Sequence, residues 1–111
     1  MNEGDVFLAT LPHADGTIKN RPAIVLRKMP PFGDYLVCGV SSQTRQAVPD
    51  FDELIKPGDA DFVTSGSKAP SIIRLGFLAV LPSGRFGGTI GDIAPECHRR
   101  LLNRLSDHLR S

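Results

Sequence analysis

Apolar and polar positions alternate along this chain in several short runs rich in β-branched residues, followed by one long amphipathic stretch at the end. Two runs organise the rest: Asn20-Arg21-Pro22-Ala23-Ile24-Val25-Leu26, and Val37-Cys38-Gly39-Val40-Ser41-Ser42-Gln43 one turn of chain later. Both are bounded by turn residues, so they read as neighbouring strands with polar chemistry at their ends. An earlier strand is predicted from Asp5 to Leu11. There Val6, Leu8 and Thr10 alternate with Phe7, Ala9 and Leu11, and apolar residues on both faces predict a strand covered on two sides, as in a barrel. Pro12 to Thr17 carries turn chemistry and reads as a loop. The second strand is predicted from Ile18 or Lys19 to Lys28. Pro22, which has no amide proton for a ladder, is expected at its start or at an unpaired edge.

Met29 to Asp34 is a turn, and Tyr35 to Gln43 returns as the third strand; such short connections favour an antiparallel meander. A short strand is predicted over Phe51 to Ile55. Breaker-rich segments, Lys56 to Asp61 and Ser65 to Pro70, predict an irregular excursion. Ser71 to Leu75 and Gly76 to Leu81 read as extended chain bent at Gly76, and Gly84 to Gly91 as a turn and short edge. Pro95 to Leu109 has helical spacing, with Leu101, Leu102, Leu105 and Leu109 as the apolar stripe and Arg99, Arg100, Asn103, Arg104, Asp107 and Arg110 toward water. Pro95 suits the first helical position and Glu96 the positive end of the dipole, while Ala94 offers no capping oxygen. The expected fold class is mainly β with a C-terminal helix: a small, mostly antiparallel barrel closed by that helix, in a single domain spanning 1–111.

Composition narrows the classes of function. With 111 residues, 41% hydrophobic and 23% charged, the chain is long enough to bury a core without staples. No apolar stretch is long enough for a membrane span, and the N-terminal residues lack the pattern of a signal peptide, so a soluble cytoplasmic protein is expected. Cys38 and Cys97 are too few for a disulfide framework and read as reduced thiols. A net charge of +1 neither predicts nor excludes a polyanionic partner.

The candidate chemistry gathers at the ends of the two organising runs. The guanidinium of Arg21 can reach past a strand end while its backbone is fixed by the sheet, which suits a phosphate clamp; the plainer reading is a surface arginine paired with Asp5 or Asp34. Ser41 and Ser42 close the third strand with hydroxyls on opposite faces, one of which should point into the barrel or its cleft, unless it serves only its own backbone. His13 lies in the loop near these strand ends and is a candidate acid or base, or simply an exposed loop residue. Phe32 and Tyr35 flank a Gly-Asp turn and could stack a base or cover the barrel end. No zinc motif, phosphate-cradling glycine loop or nucleophile elbow is present, and neither metal nor cofactor is expected.

Gly4-Asp5-Val6, Arg21-Pro22-Ala23-Ile24-Val25-Leu26, Val40-Ser41-Ser42-Gln43 and Ser71-Ile72-Ile73-Arg74-Leu75, followed by a Pro-Glu-led helix, resemble the PemK/MazF family of toxins in order and spacing over nearly the whole chain. The resemblance implies an SH3-like barrel of the PemK/MazF/CcdB type, commonly a homodimer. It also implies a metal-independent, sequence-selective endoribonuclease acting on single-stranded RNA and restrained by a cognate antitoxin protein, with DNA contacted only through that antitoxin. Arg21 matches the family's active-site arginine, and Ser41 its hydroxyl position, usually threonine. His13 falls in the loop where some members carry a histidine, whereas the acidic residue that some members use near Pro70 to Arg74 is missing. Arg27, Lys28, Arg45, Lys68 and Arg74 are available for RNA backbone contacts, and Phe32 for a base. A binding barrel without catalysis, or a toxin of a protein target such as a topoisomerase, are the competing readings.

Overall fold

The computed structural model describes residues 1–12, 16–82, 84 and 86–111. Six strands form one antiparallel sheet: β1 (Asp5–Pro12), β2 (Ile18–Met29), β3 (Asp34–Ser41), β4 (Glu53–Ile55), β5 (Ser71–Leu81) and β6 (Phe86–Asp92). Their order across the sheet is β4-β5-β3-β2-β1-β6, so the three meander strands are central and the sheet remains open between β4 and β6. Among the described residues there are also two α-helices, α1 (Ala60–Thr64) and α2 (Pro95–Arg110). The mainly antiparallel, barrel-like architecture with its terminal helix is the one the sequence predicts. The breaker-rich excursion, however, holds α1 between Asp59 and Ser65, a single turn too short to show a helical period.

Ala23, Ile24, Val25 and Leu26 are all fully buried, which requires cover on both faces of β2 because successive side chains point opposite ways. One face, carrying Val6, Ile24, Leu26, Cys38, Val40, Ile73 and Leu75, packs against Cys97, Leu101 and Leu105 of α2. The other carries Phe7, Ala9, Ala23, Val25, Tyr35 and Val37, closed by Phe77, Ala79, Leu81 and Phe86 as β5 and β6 curl over it. The Phe86 ring meets Phe7 edge-on at 4.2 Å and Tyr35 at 5.2 Å. Tyr35 is thus a core residue, not a base platform.

Pro22 lies within β2, where it faces Leu8 of β1, and not at the strand's start. Pairing with β3 begins only at Ala23↔Gly39, so the proline occupies the stretch with no β3 ladder to supply. Farther along that ladder Leu26 is the extra residue of a bulge between Val25↔Val37 and Arg27↔Leu36. His98 Nε2 donates to the Leu26 carbonyl at 2.8 Å, fixing α2 to the bulge. Asp61 of α1 accepts the Ala94 amide at 2.7 Å, so a neighbouring element supplies the polar anchor that Ala94 itself lacks at the start of α2. Where α1 ends, Gly91 of β6 passes so close that a Cβ there would strike the Thr64 carbonyl.

The helix stripe needs one correction. Leu101 and Leu105 are buried with Cys97, but Leu109, in the last turn of the helix, is 71% exposed and outside the core. Arg104 is also not simply solvated: Arg100 Nη2 and Arg104 Nη1 grip the two carboxylate oxygens of Glu53 at 2.7 and 2.8 Å, tying α2 to β4. Leu101→Ala is expected to cost about 2–5 kcal/mol in urea unfolding, and Leu109→Ala no more than about 0.5 kcal/mol.

Both cysteines are free and buried, and loss of solvation pushes each thiol up to about 12 from 9.0. Their folded-state values lie above the unfolded ones, so the native state keeps its protons where the unfolded chain releases them. Stability should therefore hold below pH 9 and fall as the pH rises toward 12, a loss that Cys38→Ala/Cys97→Ala reduces in denaturation measured across that range.

Candidate active site

The face closed by β5 and β6 ends at a polar group of residues. Across β2 and β3 the ladder runs Val25↔Val37, Ile24↔Cys38, Ala23↔Gly39. Continued by the same antiparallel register, it sets Arg21 opposite Ser41, on the face that carries Ala23 and Gly39. On the far side of β3, Gly39 pairs with Arg74 and Ser41 with Ile72. Arg74 therefore emerges on that same face, one row from Ser41. Arg21 and Arg74 are half-buried and Ser41 is only 8% exposed, so two arginines share a face with a nearly enclosed hydroxyl.

The backbone explains this placement. Arg21 is held by pairing with Ala9 of β1. Ser41 is the last residue of β3, and its Oγ accepts the Gln43 amide at 3.1 Å, which turns the chain away from the sheet. The hydroxyl thus serves its own backbone, as the plainer sequence reading has it, yet keeps its proton to donate. Between them Gly39 forms a floor without a side chain; a Cβ there would lie 3.0 Å from Cδ1 of Phe77, whose ring rests on it. The contact of the Phe77 ring with Gly39 is not foreseen from the sequence. A glycine inside an apolar strand is the signal that could have found it, since it marks a close approach.

The other candidates scatter. Arg27 and Lys28 lie six and seven residues along β2 from Arg21, about 20 Å away at ~3.3 Å per residue. Arg27 pairs loosely with Glu3 at 3.5 Å, and Phe32, 88% exposed, tips the adjoining β2–β3 turn. Arg45 occupies the short 3₁₀ turn Thr44–Gln46 just beyond Ser41, at the site's end of the sheet. Lys68 borders a cavity of about 670 Å³ on the opposite face, whose floor is Val6, Ile24, Val40 and Ile55. The structure thus brings together Arg21, Ser41 and Arg74, with Arg45 near them, and holds Arg27, Lys28, Phe32 and Lys68 apart. His13 lies outside the described residues. Among the described residues, no three His, Cys, Asp or Glu side chains gather as a metal site would need. Gly39→Ala is expected to dislodge the Phe77 ring and cost about 1–3 kcal/mol in chemical denaturation.

Residues 2–109 match the sequence profile of the PemK-like, MazF-like toxins of type II toxin-antitoxin systems. The chain belongs to that toxin family. No curated protein sequence matches it significantly. Among solved structures the fold is similar to Mycobacterium tuberculosis toxin MazF-mt6, with 16% identity, 96% of each chain covered and a TM-score of 0.70. It is also similar to an endoribonuclease in complex with its cognate antitoxin from a mycobacterial species, with 12% identity, 99% of this chain and 95% of that one covered, and a TM-score of 0.70. At such identities the likeness concerns the fold, and the PemK/MazF toxin family is set by the sequence profile. None of the helices among the described residues is long and apolar enough to cross a membrane.

Proposed function

We propose that this PemK/MazF-family protein is a sequence-selective endoribonuclease that cleaves single-stranded RNA without a metal ion and is held in check by a cognate antitoxin. The observation that carries the reading is the shared face of Arg21, Ser41 and Arg74 at the end of the β2–β3 ladder. The scissile phosphate is attacked by its own neighbouring 2′-hydroxyl, which loses a proton as the bond to the 5′-oxygen breaks; the products are a cyclic phosphate and a 5′-hydroxyl. The phosphorane-like transition state gathers negative charge on its non-bridging oxygens. The guanidinium of Arg21 stabilises that charge and can donate to it, and the Ser41 hydroxyl donates to one non-bridging oxygen. Arginine stays protonated, so it is a poor base; the 2′-hydroxyl proton passes to His13 or to solvent, and the departing 5′-oxygen takes up a proton from solvent to leave as the 5′-hydroxyl. Arg74 and Arg45 bind the RNA backbone on either side of the reacting phosphate.

A homodimer completes the reading. Beyond Ile73, β5 has no β4 partner, and this open edge carries Leu78 and Val80, 41% and 55% exposed. A bare apolar edge is a template for another chain, and a second copy covers it most economically. Val80→Lys is expected to shift the protein to monomer in sedimentation, while the wild type sediments as a dimer. The antitoxin binds the toxin directly, and DNA is reached only through it.

The deciding experiment is incubation of purified protein with long single-stranded RNA in EDTA, beside Arg21→Ala, with the fragment ends sequenced. Cleavage at a short recurring motif is expected, slowed by about 10²–10³ in the variant. Intact RNA across several sequences would move the reading to a toxin of a protein target or to a silent binding barrel.

A further inference from the structure

We propose that Asp52 is a positioning residue of the RNA-binding face, holding the β5 bulge that sets Arg74 and Phe77 beside Ser41; the functional part of this role rests on the nuclease reading above. β5 pairs with β3 in two halves. Ser41↔Ile72, Val40↔Ile73 and Gly39↔Arg74 form the first, and Cys38↔Leu78 to Tyr35↔Leu81 the second. Leu75, Gly76 and Phe77 between them face no residue of β3. Three extra residues are an odd number, so they decide which face each later side chain joins. Regular pairing would continue with Leu75 opposite Cys38 and place Phe77 opposite Leu36, on the α2 side of the sheet. Leu75 lies in the α2 core with Cys38 in either case, but the bulge brings Phe77 to the other face, over Gly39.

At the first residue of the bulge the Leu75 amide points to the β4 edge of β5, beyond the end of β4, and Asp52 accepts it: Oδ1 lies 3.1 Å from the Leu75 nitrogen. The acceptor is itself anchored. Its Oδ2 takes the Val48 amide at 2.9 Å, its carbonyl takes Arg104 Nη1 at 3.1 Å, and the next residue, Glu53, is gripped by Arg100 and Arg104 of α2. The β4–β5 register, Glu53↔Ile73 and Leu54↔Ile72, continues to place Asp52 beside Arg74. The terminal helix thus holds Asp52, Asp52 holds the bulge, and the bulge holds one guanidinium and one ring at the candidate site. Without the acceptor, the Leu75 amide loses the contact that fixes the bulge, which lets Phe77 shift off Gly39 and frees the backbone that aims Arg74.

The test uses Asp52→Ala, Asp52→Asn, Arg74→Ala and the Asp52→Ala/Arg74→Ala double variant in the full chain. Amide hydrogen exchange at Leu75 to Phe77 reads the latch. Binding of a mixed-sequence, 2′-O-methylated single-stranded RNA and cleavage of its unmodified counterpart read its consequence. Asp52→Ala should speed Leu75 exchange by about tenfold or more and weaken RNA binding about fivefold. Asparagine keeps a side-chain oxygen for Leu75 but offers Val48 no second acceptor, so Asp52→Asn should restore both to within about twofold if the latch, not the Val48 contact, is responsible. In the Arg74→Ala background, loss of Asp52 should weaken binding by less than about twofold more. Unchanged Leu75 exchange, unchanged RNA affinity, failure of Asp52→Asn to rescue, or full additivity with Arg74→Ala overturns the positioning role. Wild type with a protected Leu75 that neither binds nor cleaves RNA overturns the nuclease reading and the functional role together; RNA cleavage that Asp52→Ala leaves untouched overturns the role of Asp52 alone.

Discussion

Burial of β2 and β3 on both faces is the constraint on which the rest depends. Ala23 to Leu26 have no solvent exposure, so each backbone amide there needs a ladder partner and each side chain a packing partner. β1 and β3 supply the ladders, α2 covers one face, and the curled halves of β5 and β6 cover the other. A six-stranded sheet of this small size meets that demand only by bending, and the register shifts in β2, β5 and against β6 are where it bends. Polar side chains are excluded along the covered length. They become tolerable where the cover stops, and Arg21 and Ser41 stand at that limit.

How much of this was legible in the sequence follows from the same constraint. Alternation and double-faced apolar runs predict β1, β2, β3 and β5, because burial forces those patterns on the residues themselves. The helix is legible for the same reason through Leu101 and Leu105. Leu109 keeps the period but is exposed, and periodicity alone carries no information about where the covering partner ends. α1 is too short to show a period, and its end is fixed by its close fit to Gly91, a contact of distant residues. Arg21 and Ser41 were legible as strand-end polar residues and through the family pattern; their shared row needed the register. The scatter of Arg27, Lys28 and Phe32 to the opposite end was implicit in counting along β2, since six residues of strand separate charges that a list of basic residues treats as one patch.

The terminal helix does more than close the core. Its apolar side packs on the sheet, while its polar side makes directed contacts with backbone that the sheet leaves unpaired: His98 reaches the bulge carbonyl of Leu26, and Arg104 the carbonyl of Asp52. An exposed ion pair contributes little, but Arg104 and Glu53 are mostly shielded and share their charge with a second arginine, so the pair fixes geometry more firmly than a solvated one. The same helix therefore touches both bulges, directly in β2 and through Asp52 in β5.

This arrangement bears on how a barrel with few chemical groups at its site can still hold them in place. A phosphate clamp works only if its donors are fixed before the substrate arrives, because arranging them during the reaction would cost the stabilisation they provide. Arg21 gains that fixity from continuous pairing with β1, and Ser41 from the turn its own Oγ closes. Arg74 has neither advantage: it is the last residue before three unpaired ones. Its direction depends on whatever ends the irregular segment, and that is the carboxylate of Asp52, held from behind by α2. Precision at the site is thus drawn from a helix on the opposite face of the sheet, through backbone hydrogen bonds that a survey of side chains near the site would not include.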